Sequence, residues 1–205
     1  MSQPASQVLV LDDDPAVLVS LERLLVTHGY TARTHQTPDA LFGAGPPPVP
    51  ACLLLDQNLG PVKGTEVHAE LLRRGWLLPT IFLTADWDTH TVVQAMRGGA
   101  DDYLTKPYDP AELLQTVARS LQRAQAIQLA ADELACARAR AATLTPRERA
   151  IVGLVVAGML NKQIADHLGL ALVTVKVHRG RAMQKLGARN PADLARLSAL
   201  VGITG

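Results

Sequence analysis

Five polar residues of this sequence stand directly after short apolar runs, and together their side chains could carry out phosphoryl chemistry. Asp12 and Asp13 follow VLVL, and Asp56 follows ACLLL. Thr84 and Lys106 follow two later runs, TIFL and DYLT. A carboxylate beside buried apolar residues is unfavourable unless something pairs with it. Their positions therefore need a chemical explanation.

The residue types suggest one. Clustered carboxylates favour a hard divalent cation such as Mg²⁺ (or Mn²⁺), which takes oxygen ligands and also binds phosphoryl oxygens. A lysine supplies fixed positive charge for a developing anion, and a threonine hydroxyl can hydrogen-bond another oxygen. Aspartate is a phosphoryl acceptor in covalent catalysis. The set predicts Asp56 as the nucleophile, with the cation and Lys106 neutralising charge during transfer.

These side chains can meet only if the apolar runs are strands of one parallel sheet. Strands alternating with helices predict an α/β domain with a five-stranded, doubly wound, flavodoxin-like sheet. In such sheets, ligands bind at the carboxyl ends of the strands. We predict strands at 8–12, 30–35, 52–56, 80–84 and 102–106, and helices at 15–28, 38–44, 64–74, 90–97 and from 110 onward.

Each residue also has an ordinary explanation. A strand-end aspartate is often a helix N-cap, Thr84 favours strands, and Lys106 would be a solvated loop lysine. Their coincidence at successive strand ends is what favours a site. Haloacid-dehalogenase-type phosphatases use similar residues, but their nucleophile is on the first strand and their acidic pair comes last. Here the order is reversed and no substrate cap is visible, so we predict that the chain is not an enzyme.

The second half of the chain is basic. Residues 1–120 hold 8 Lys/Arg and 14 Asp/Glu, whereas residues 121–205 hold 12 Lys/Arg and 5 Asp/Glu. This asymmetry indicates that the second half meets a polyanion. Only 3% of residues are aromatic, which argues against a stacking platform for single-stranded nucleic acid.

The chain divides into three predicted parts: a first domain over 1–122, a helical linker over 123–142 and an all-α domain over 143–205. Helix-forming residues without glycine or proline after Pro110 predict one long helix to about Ala142. It could form a dimeric coiled coil, although its leucines hold no clean heptad. Thr145 begins a capping box, and further helices are predicted at 146–157, 161–168, 172–186 and 191–201.

The cysteine pattern and the start of the chain bear on location. Cys52 and Cys136 form no disulfide framework, so we expect two buried free thiols in a reducing compartment. The first residues lack the features of a signal peptide, and no apolar run approaches a membrane span. A soluble cytoplasmic protein without membrane association is expected.

Four motifs of the first domain belong together: LVLDDDP (9–15), LLLD…G (53–64), FLTA (82–85) and GADDYLTKP (99–107). By these motifs, residues 8–122 resemble the receiver domain of bacterial two-component response regulators. The resemblance implies a phosphorelay in which a histidine kinase phosphorylates Asp56. It also implies that Asp13 and Asp56 bind the metal, that Asp12 acts partly through water, and that the backbone carbonyl of Asn58 completes the site. Thr84 and Tyr103 resemble the family's switch pair, and the resemblance assigns Lys106 to stabilising the phosphoryl group.

Residues 145–197 resemble the helix-turn-helix domain of the NarL/FixJ/LuxR class, and nearly the whole chain resembles FixJ- and StyR-like regulators. The second helix of the motif would enter the major groove of double-stranded promoter DNA. Val177 could touch a thymine methyl group. The alternative is that the cationic positions are a solvated helix face. The predicted DNA contacts are Asn161, Lys162, Thr174, Lys176, Val177, Arg179, Arg181 and Lys185, the last three mostly to phosphate.

The sequence departs from these families in three places. Leu59-Gly60 stand where receivers usually carry Met-Pro, which puts metal affinity and phosphoryl lifetime in doubt. Ala171 replaces a common capping serine and is followed by apolar Leu172 and Val173 where a polar pair is usual. Gly180 lies inside a helix, where it is less favourable than alanine by about 1 kcal/mol.

The last predicted helix carries Leu194, Leu197 and Val201 on one stripe. This stripe fits either plain core or, by resemblance, the surface that pairs two DNA-binding domains. The sequence thus predicts a response regulator that is phosphorylated on Asp56 and then binds DNA as a homodimer. The alternative is a phosphorylation-independent DNA-binding regulator whose receiver is a dimerisation module.

Overall fold

The computed structural model describes residues 6–47, 50–85 and 100–204. The chain forms two compact units, Met1–Gln128 and Leu129–Gly205. The helix predicted at 90–97 lies outside the described residues. The two units are described separately below.

The first unit contains the predicted five-stranded parallel sheet. The strands of this sheet are β1 (Gln7–Leu11), β2 (Thr31–His35), β3 (Ala51–Asp56), β6 (Thr80–Thr84) and β7 (Asp102–Thr105). Their order across the sheet is β2-β1-β3-β6-β7, so β3 lies at the centre with β1 and β6 beside it. This confirms the flavodoxin-like α/β fold. The helices are α1 (Pro15–Thr27), α2 (Pro38–Gly43) and α3 (Gly64–Arg73).

The register of the strands places their carboxyl ends together. Leu11, the last residue of β1, pairs with Leu55 of β3, and Asp56 pairs with Leu83 of β6. Thr84 in turn pairs with Thr105, the last residue of β7. The residues that follow these positions therefore share one edge of the sheet, as the sequence predicts.

The three inner strands β1, β3 and β6 are buried on both faces of the sheet. Successive side chains of a strand point to opposite faces. Val8 and Val10 belong to one hydrophobic cluster with Leu21 and Leu25 of α1. Leu9 and neighbouring residues belong to a second cluster, which includes Val67 and Leu71 of α3. The continuous apolar runs of β1 and β3 are explained by this double burial.

A short hairpin follows β3 that the sequence does not predict. Its strands are β4 (Asn58–Leu59) and β5 (Val62–Lys63), paired antiparallel. The turn passes through Gly60, whose φ of +63° lies in the region that glycine tolerates best. The hairpin returns the chain to Gly64, where α3 begins.

The long helix predicted from Pro110 is present as α4 (Pro110–Ala142). Its first turns bury Leu113, Val117 and Leu121 in a cluster of the first unit. Near its end, Ala137 and Ala141 are buried, and Ala141 belongs to a cluster of the second unit. No described side chain from 125 to 136 is buried.

The second unit is helical, as predicted. Thr145 and Glu148 form the predicted capping box, with the Thr145 hydroxyl accepting a hydrogen bond from the Glu148 amide. Gly169, with φ +62°, ends α6 and provides the turn before α7. The helices are α5 (Pro146–Val156), α6 (Asn161–Leu168), α7 (Leu172–Leu186) and α8 (Pro191–Leu200).

Candidate functional site

Three aspartates meet at the carboxyl edge of the sheet. Asp12 and Asp56 are buried, whereas Asp13 is exposed. One oxygen from each of the three carboxylates lies within 4.8 Å of the other two. The predicted convergence of Asp12, Asp13 and Asp56 therefore exists in the structure, with one member open to solvent.

Lys106 reaches this cluster from the end of β7. Its Nζ donates hydrogen bonds to Asp12 Oδ2 at 2.7 Å and to Asp56 Oδ1 at 3.0 Å. The lysine side chain is 25% exposed and the two carboxylates are almost completely buried, so the pairing is only partly screened by water. The lysine holds together two carboxylates that would otherwise repel each other. We call Asp12, Asp13, Asp56 and Lys106 together the acidic cluster.

Backbone amides orient two of the carboxylates. The Asn58 amide donates to Asp56 Oδ2 at 3.2 Å, and the Asp14 amide donates to Asp12 Oδ1 at 2.9 Å. Asp14 is itself the N-cap of α1, accepting from the Ala16 amide at 2.8 Å. The capping role that a strand-end aspartate often has thus falls to Asp14, which leaves Asp12 and Asp13 available for chemistry.

The environment shifts the protonation equilibria of both partners. Burial raises the pKa of the Asp56 carboxyl, the hydrogen bond and charge of Lys106 oppose that effect, and the charge of Asp12 adds to it. Burial alone would lower the pKa of Lys106, but its hydrogen bonds to Asp12 and Asp56 outweigh burial and raise that pKa. A second cation near the carboxylates would favour their charged forms.

The donor set fits a hard divalent cation. All three candidate side-chain ligands are carboxylates, whose oxygens Mg²⁺ and Mn²⁺ accept readily. Asp13 faces solvent, which would give a cation a path of entry and leave room for water ligands. These three carboxylates form a group that can hold a metal ion.

The loop after Asp56 is tightly packed against it. A Cβ at Gly64 would lie 2.5 Å from the backbone carbonyl oxygen of Asp56 and 3.2 Å from the Phe82 ring. The Asn58 side chain accepts a hydrogen bond from Lys63 Nζ at 2.7 Å across the hairpin. Gly60 also lies close to the cluster, since its Cβ would be 3.9 Å from Asp13 Oδ2. Leu59 and Gly60, which depart from the family pattern, thus form part of a defined hairpin beside the carboxylates.

The two predicted switch residues lie on adjacent strands. Thr84 is buried at the end of β6, and its carbonyl accepts the Lys106 amide at 2.6 Å. Tyr103 is half-buried on β7, directly opposite Phe82 of β6, and packs against a core cluster. This position is consistent with a half-buried strand aromatic and places it next to the strand that ends in Thr84.

In the second unit, α6 and α7 form the predicted helix-turn-helix arrangement. Val175, Ala182 and Leu186 bury one face of α7. Lys176, Val177 and Arg181 lie on exposed parts of the helix, and Thr174 is half-buried. Lys162 is exposed near the start of α6. The exposed residues are therefore available to a ligand of this unit.

Two of the predicted DNA-binding residues bind each other. Arg179 Nη1 donates a hydrogen bond to Asn161 Oδ1 at 2.7 Å, which joins α6 to α7. Arg179 is also half-buried. This contact orients its guanidinium, which still has donors for a phosphate.

Lys185 has partners inside the unit. Its Nζ donates to Glu148 Oε2 at 2.6 Å and to the Thr143 carbonyl at 3.0 Å. Glu148 is buried, and hydrogen bonds from Lys185 and from the Thr145 amide lower its pKa to about 2. This arrangement competes with the predicted phosphate contact of Lys185, which stays a prediction. Sequence analysis missed the pair because its members are separated by 37 residues without a repeating pattern.

The stripe on the last helix is largely internal. Leu194 is fully buried and Leu197 is 8% exposed, while Val201 packs against the same cluster. Burial explains these side chains without a partner subunit, in line with the core alternative that the sequence left open. Their role in dimerisation stays a prediction.

Two sequence expectations about location can be compared with the structure. Cys52 is buried, but Cys136 is exposed on α4, so the expectation of two buried thiols was wrong for the second. Cys136 lies in the part of α4 from 125 to 136, where no side chain is buried. Among the helices within 6–47, 50–85 and 100–204, none is long and apolar enough to cross a membrane.

Family comparisons agree with both halves of the structure. Residues 8–118 match the response regulator receiver domain, and residues 142–198 match the LuxR family of bacterial regulatory proteins. These matches confirm the resemblance inferred from the sequence motifs.

Individual relatives match along almost the whole chain. Nodulation protein W of Bradyrhizobium diazoefficiens is 38% identical, and the match covers 96% of this chain and 87% of the length of that protein. Transcriptional regulatory protein FixJ of Azorhizobium caulinodans is 35% identical, covering 96% and 93%. Response regulator StyR has a similar structure, with a TM-score of 0.85 at 34% identity over 96% of this chain and 99% of its own. FixJ and StyR are regulators by name, in agreement with the prediction that the chain is not an enzyme. The chain belongs to the two-component response regulators that join a receiver domain to a LuxR-family DNA-binding domain.

Proposed function

We propose that a histidine kinase phosphorylates this regulator on Asp56 and that the phosphorylated form binds promoter DNA as a homodimer in the cytoplasm. The observation that carries the proposal is the acidic cluster, in which Lys106 bridges Asp12 and Asp56. Of the carboxylates in the cluster, Asp56 is the one on the central strand, and the amide of Asn58 fixes its second oxygen. It is therefore held in one orientation for attack.

In the transfer step, a carboxylate oxygen of Asp56 forms a bond to phosphorus as the phosphorus–nitrogen bond of the kinase phosphohistidine breaks. The bonding electrons leave with the imidazole, which is a neutral leaving group when its other nitrogen carries a proton. Lys106 then neutralises charge on the phosphoryl oxygens. A Mg²⁺ or Mn²⁺ ion held by Asp12, Asp13, Asp56 and the Asn58 carbonyl would supply further positive charge to the same oxygens.

Thr84 and Tyr103, on strands next to the acidic cluster, would change position after phosphorylation. We assign the Thr84 hydroxyl as a hydrogen-bond donor to the new phosphoryl group. Tyr103, on the adjacent strand, is assigned as the aromatic residue that moves when the Thr84 hydroxyl moves. Within the linker predicted at 123–142, we assign the segment that connects the two cores to about 125–136, and the absence of buried side chains in that range supports the assignment. Residues before and after that range, such as Leu121 and Ala141, belong to the cores of the two units.

The basic second unit would bind DNA through α6 and α7. We assign Lys176 and Val177 to base edges, and Asn161, Lys162, Thr174, Arg179 and Arg181 to positioning contacts that are mainly with phosphates. Residues 129–205 carry 11 Lys/Arg against 5 Asp/Glu, in support of a polyanionic ligand. Binding should therefore weaken steeply as salt concentration rises.

The test is DNA binding and sedimentation of the full chain, with and without acetyl phosphate and Mg²⁺. Wild-type protein should gain both dimerisation and affinity after treatment. Asp56→Ala should not respond, whereas Glu22→Ala, which removes an exposed carboxylate from α1, should respond like wild type. A response by Asp56→Ala equal to that of wild type would contradict the proposal.

The second candidate is a regulator that binds DNA without phosphorylation and uses its receiver for dimerisation. The Leu59–Gly60 turn favours it, because this departure from the family pattern sits beside the carboxylates. In that case, wild type and Asp56→Ala would both be dimeric and would bind DNA equally with or without acetyl phosphate. The same measurement therefore separates the two candidates.

A further inference from the structure

The first turns of α7 carry an exposed apolar patch. Leu172, Val173 and Val177 are 42%, 66% and 46% exposed. Only two other large hydrophobic residues are as exposed within residues 129–204, Leu129 and Leu160. Three exposed aliphatic side chains within six residues of one helix lack a packing explanation inside the unit. Patches of this kind mark interaction surfaces.

The patch lies on the face of α7 that points away from the core. Val173 and Val177 are four residues apart and therefore lie one above the other, with Lys176 and Gly180 beside them on the same face. The opposite face is the one that buries Val175 and Ala182. A Cβ at Gly180 would meet nothing within 4 Å, so this part of the face is open.

The charge around the patch identifies its occupant. Helix α7 contains Lys176, Arg179, Arg181 and Lys185 and no acidic residue. A second copy of the same face would bring like charges together, whereas a DNA duplex brings phosphates. The main apolar group that DNA displays in the major groove is the thymine C5 methyl. Aliphatic side chains framed by cations thus match a groove that contains thymines.

We propose that Val173 joins Val177 in reading thymine methyl groups, so that each half-site of the operator has thymines at two nearby positions. This inference rests on the proposed DNA-binding function and adds the base that the face selects. Four residues of helix rise by about 6 Å, close to two base-pair steps of about 3.4 Å each. The absent side chain at Gly180 lets the helix backbone approach the groove, which brings two short valine side chains within reach of the methyls.

The test begins with a duplex selected from a randomised pool by the full chain after treatment with acetyl phosphate and Mg²⁺. Each thymine of that duplex is then replaced singly by deoxyuridine, which removes only the C5 methyl. At two positions in each half-site, replacement should weaken binding about 4-fold, the effect of one buried methyl-sized group. Selected sites without thymine, or deoxyuridine duplexes that all bind as tightly as the parent, would overturn the proposal.

Variants assign the effect to the residue. Val173→Thr keeps the branched shape but replaces a methyl with a hydroxyl, and it should abolish the deoxyuridine effect at one of the two positions. Val26→Thr makes the same change on α1, where the valine is 56% exposed, and should keep both effects. Val173→Thr that retains both effects would show that Val173 does not read a methyl group.

The proposed DNA-binding function is tested separately by the salt dependence of binding to any duplex. Salt-sensitive binding without a deoxyuridine effect overturns the thymine inference and leaves the DNA-binding function standing. No binding to any duplex, with or without acetyl phosphate, overturns both.

Discussion

The two units each contain a lysine bound to buried carboxylate groups, and the two arrangements differ in what they leave unsatisfied. Lys185 faces one carboxylate, that of Glu148, which also accepts the Thr145 amide at 2.9 Å. Lys106 donates hydrogen bonds to two carboxylates, those of Asp12 and Asp56. The third carboxylate, that of Asp13, lies in the same group. The charges of Lys185 and Glu148 therefore balance, whereas the three carboxylates around Lys106 leave an excess of negative charge.

The direction of the pKa shifts reports this difference. Hydrogen bonds from Lys185 and the Thr145 amide lower the pKa of Glu148 to about 2, so its charged form is strongly favoured. Burial and the neighbouring Asp12 raise the pKa of Asp56, even with Lys106 opposing them. In the second unit, the lysine and the carboxylate form a stabilising ion pair. In the first unit, Asp56 would be stabilised further by a second positive charge. Perturbed carboxylates of the second kind concentrate at functional sites.

The largest contrast is expected from removing each lysine in turn. Lys106→Met should strongly lower phosphoryl uptake from acetyl phosphate, because the phosphoryl group would lose its protein cation. Lys185→Met should leave phosphoryl uptake at the wild-type level. Uptake is measured by intact-protein mass spectrometry after treatment with acetyl phosphate and Mg²⁺. Equal loss of uptake in both variants would remove the distinction between the two sites.

The pair of Lys185 with Glu148 should stabilise the second unit. Lys185→Met leaves Glu148 charged and buried with only the Thr145 group as partner, which should lower the free energy of unfolding of the second unit by about 2 kcal/mol. This figure allows for screening of the lysine, which is 35% exposed. Urea unfolding of the full chain, followed by circular dichroism, measures the change. A second-unit transition at the wild-type midpoint would show that the pair does not stabilise the fold.

The packing around Asp56 can be tested without changing a charge. Gly64→Ala would push a methyl group into the Asp56 carbonyl at 2.5 Å, and should destabilise the first unit by about 1–3 kcal/mol while slowing phosphoryl uptake. Gly43→Ala is the matched control, since a Cβ there meets nothing within 4 Å in α2. Similar unfolding midpoints and uptake rates for the two variants would contradict the tight packing of the loop.

Removing the cap of α5 should have a smaller effect. The Thr145 hydroxyl accepts the Glu148 amide at 3.2 Å, so Thr145→Ala should lower the stability of the second unit by about 1 kcal/mol. Thr143→Ala is a nearby control, because its hydroxyl only donates to the Arg140 carbonyl in the last turn of α4. Equal melting curves for both variants would show that the cap adds nothing beyond the Glu148–Lys185 pair.

Lowering the pH should gradually remove the stabilisation that Glu148 gives to the second unit. The folded-state pKa of Glu148 is lower than its ordinary value of about 4.5. Its contribution is therefore complete above that ordinary value and is lost as pH falls towards about 2. Comparing the unfolding midpoint of wild type with Glu148→Gln between these pH values isolates the effect. The difference between the two proteins should shrink as pH falls, and a constant difference would contradict the assignment.

Sequence patterns were most informative where a position has a fixed geometric meaning. Asp12, Asp56 and Lys106 could be placed together because residues after parallel strands share one sheet edge, and the register confirms that placement. The helices of the second unit were predicted within one residue at each end because Thr145, Gly169 and Gly187 mark their boundaries.

Other features carried no readable signal. The β4–β5 hairpin has only two residues in each strand, too few for a period to be visible. The Glu148–Lys185 contact depends on how two distant helices pack. The stripe of Leu194 and Leu197 has the same spacing whether it faces its own core or a partner, so only burial in the folded unit distinguishes the two.

The most direct test of the account is to locate the phosphoryl group. The full chain is treated with acetyl phosphate and Mg²⁺, reduced with borohydride to convert an aspartyl phosphate to homoserine, digested and sequenced by tandem mass spectrometry. The account predicts homoserine at residue 56 and at no other aspartate, and no conversion in Asp56→Ala. Conversion at Asp12 or Asp13 instead, or no conversion in the wild-type protein, would contradict it.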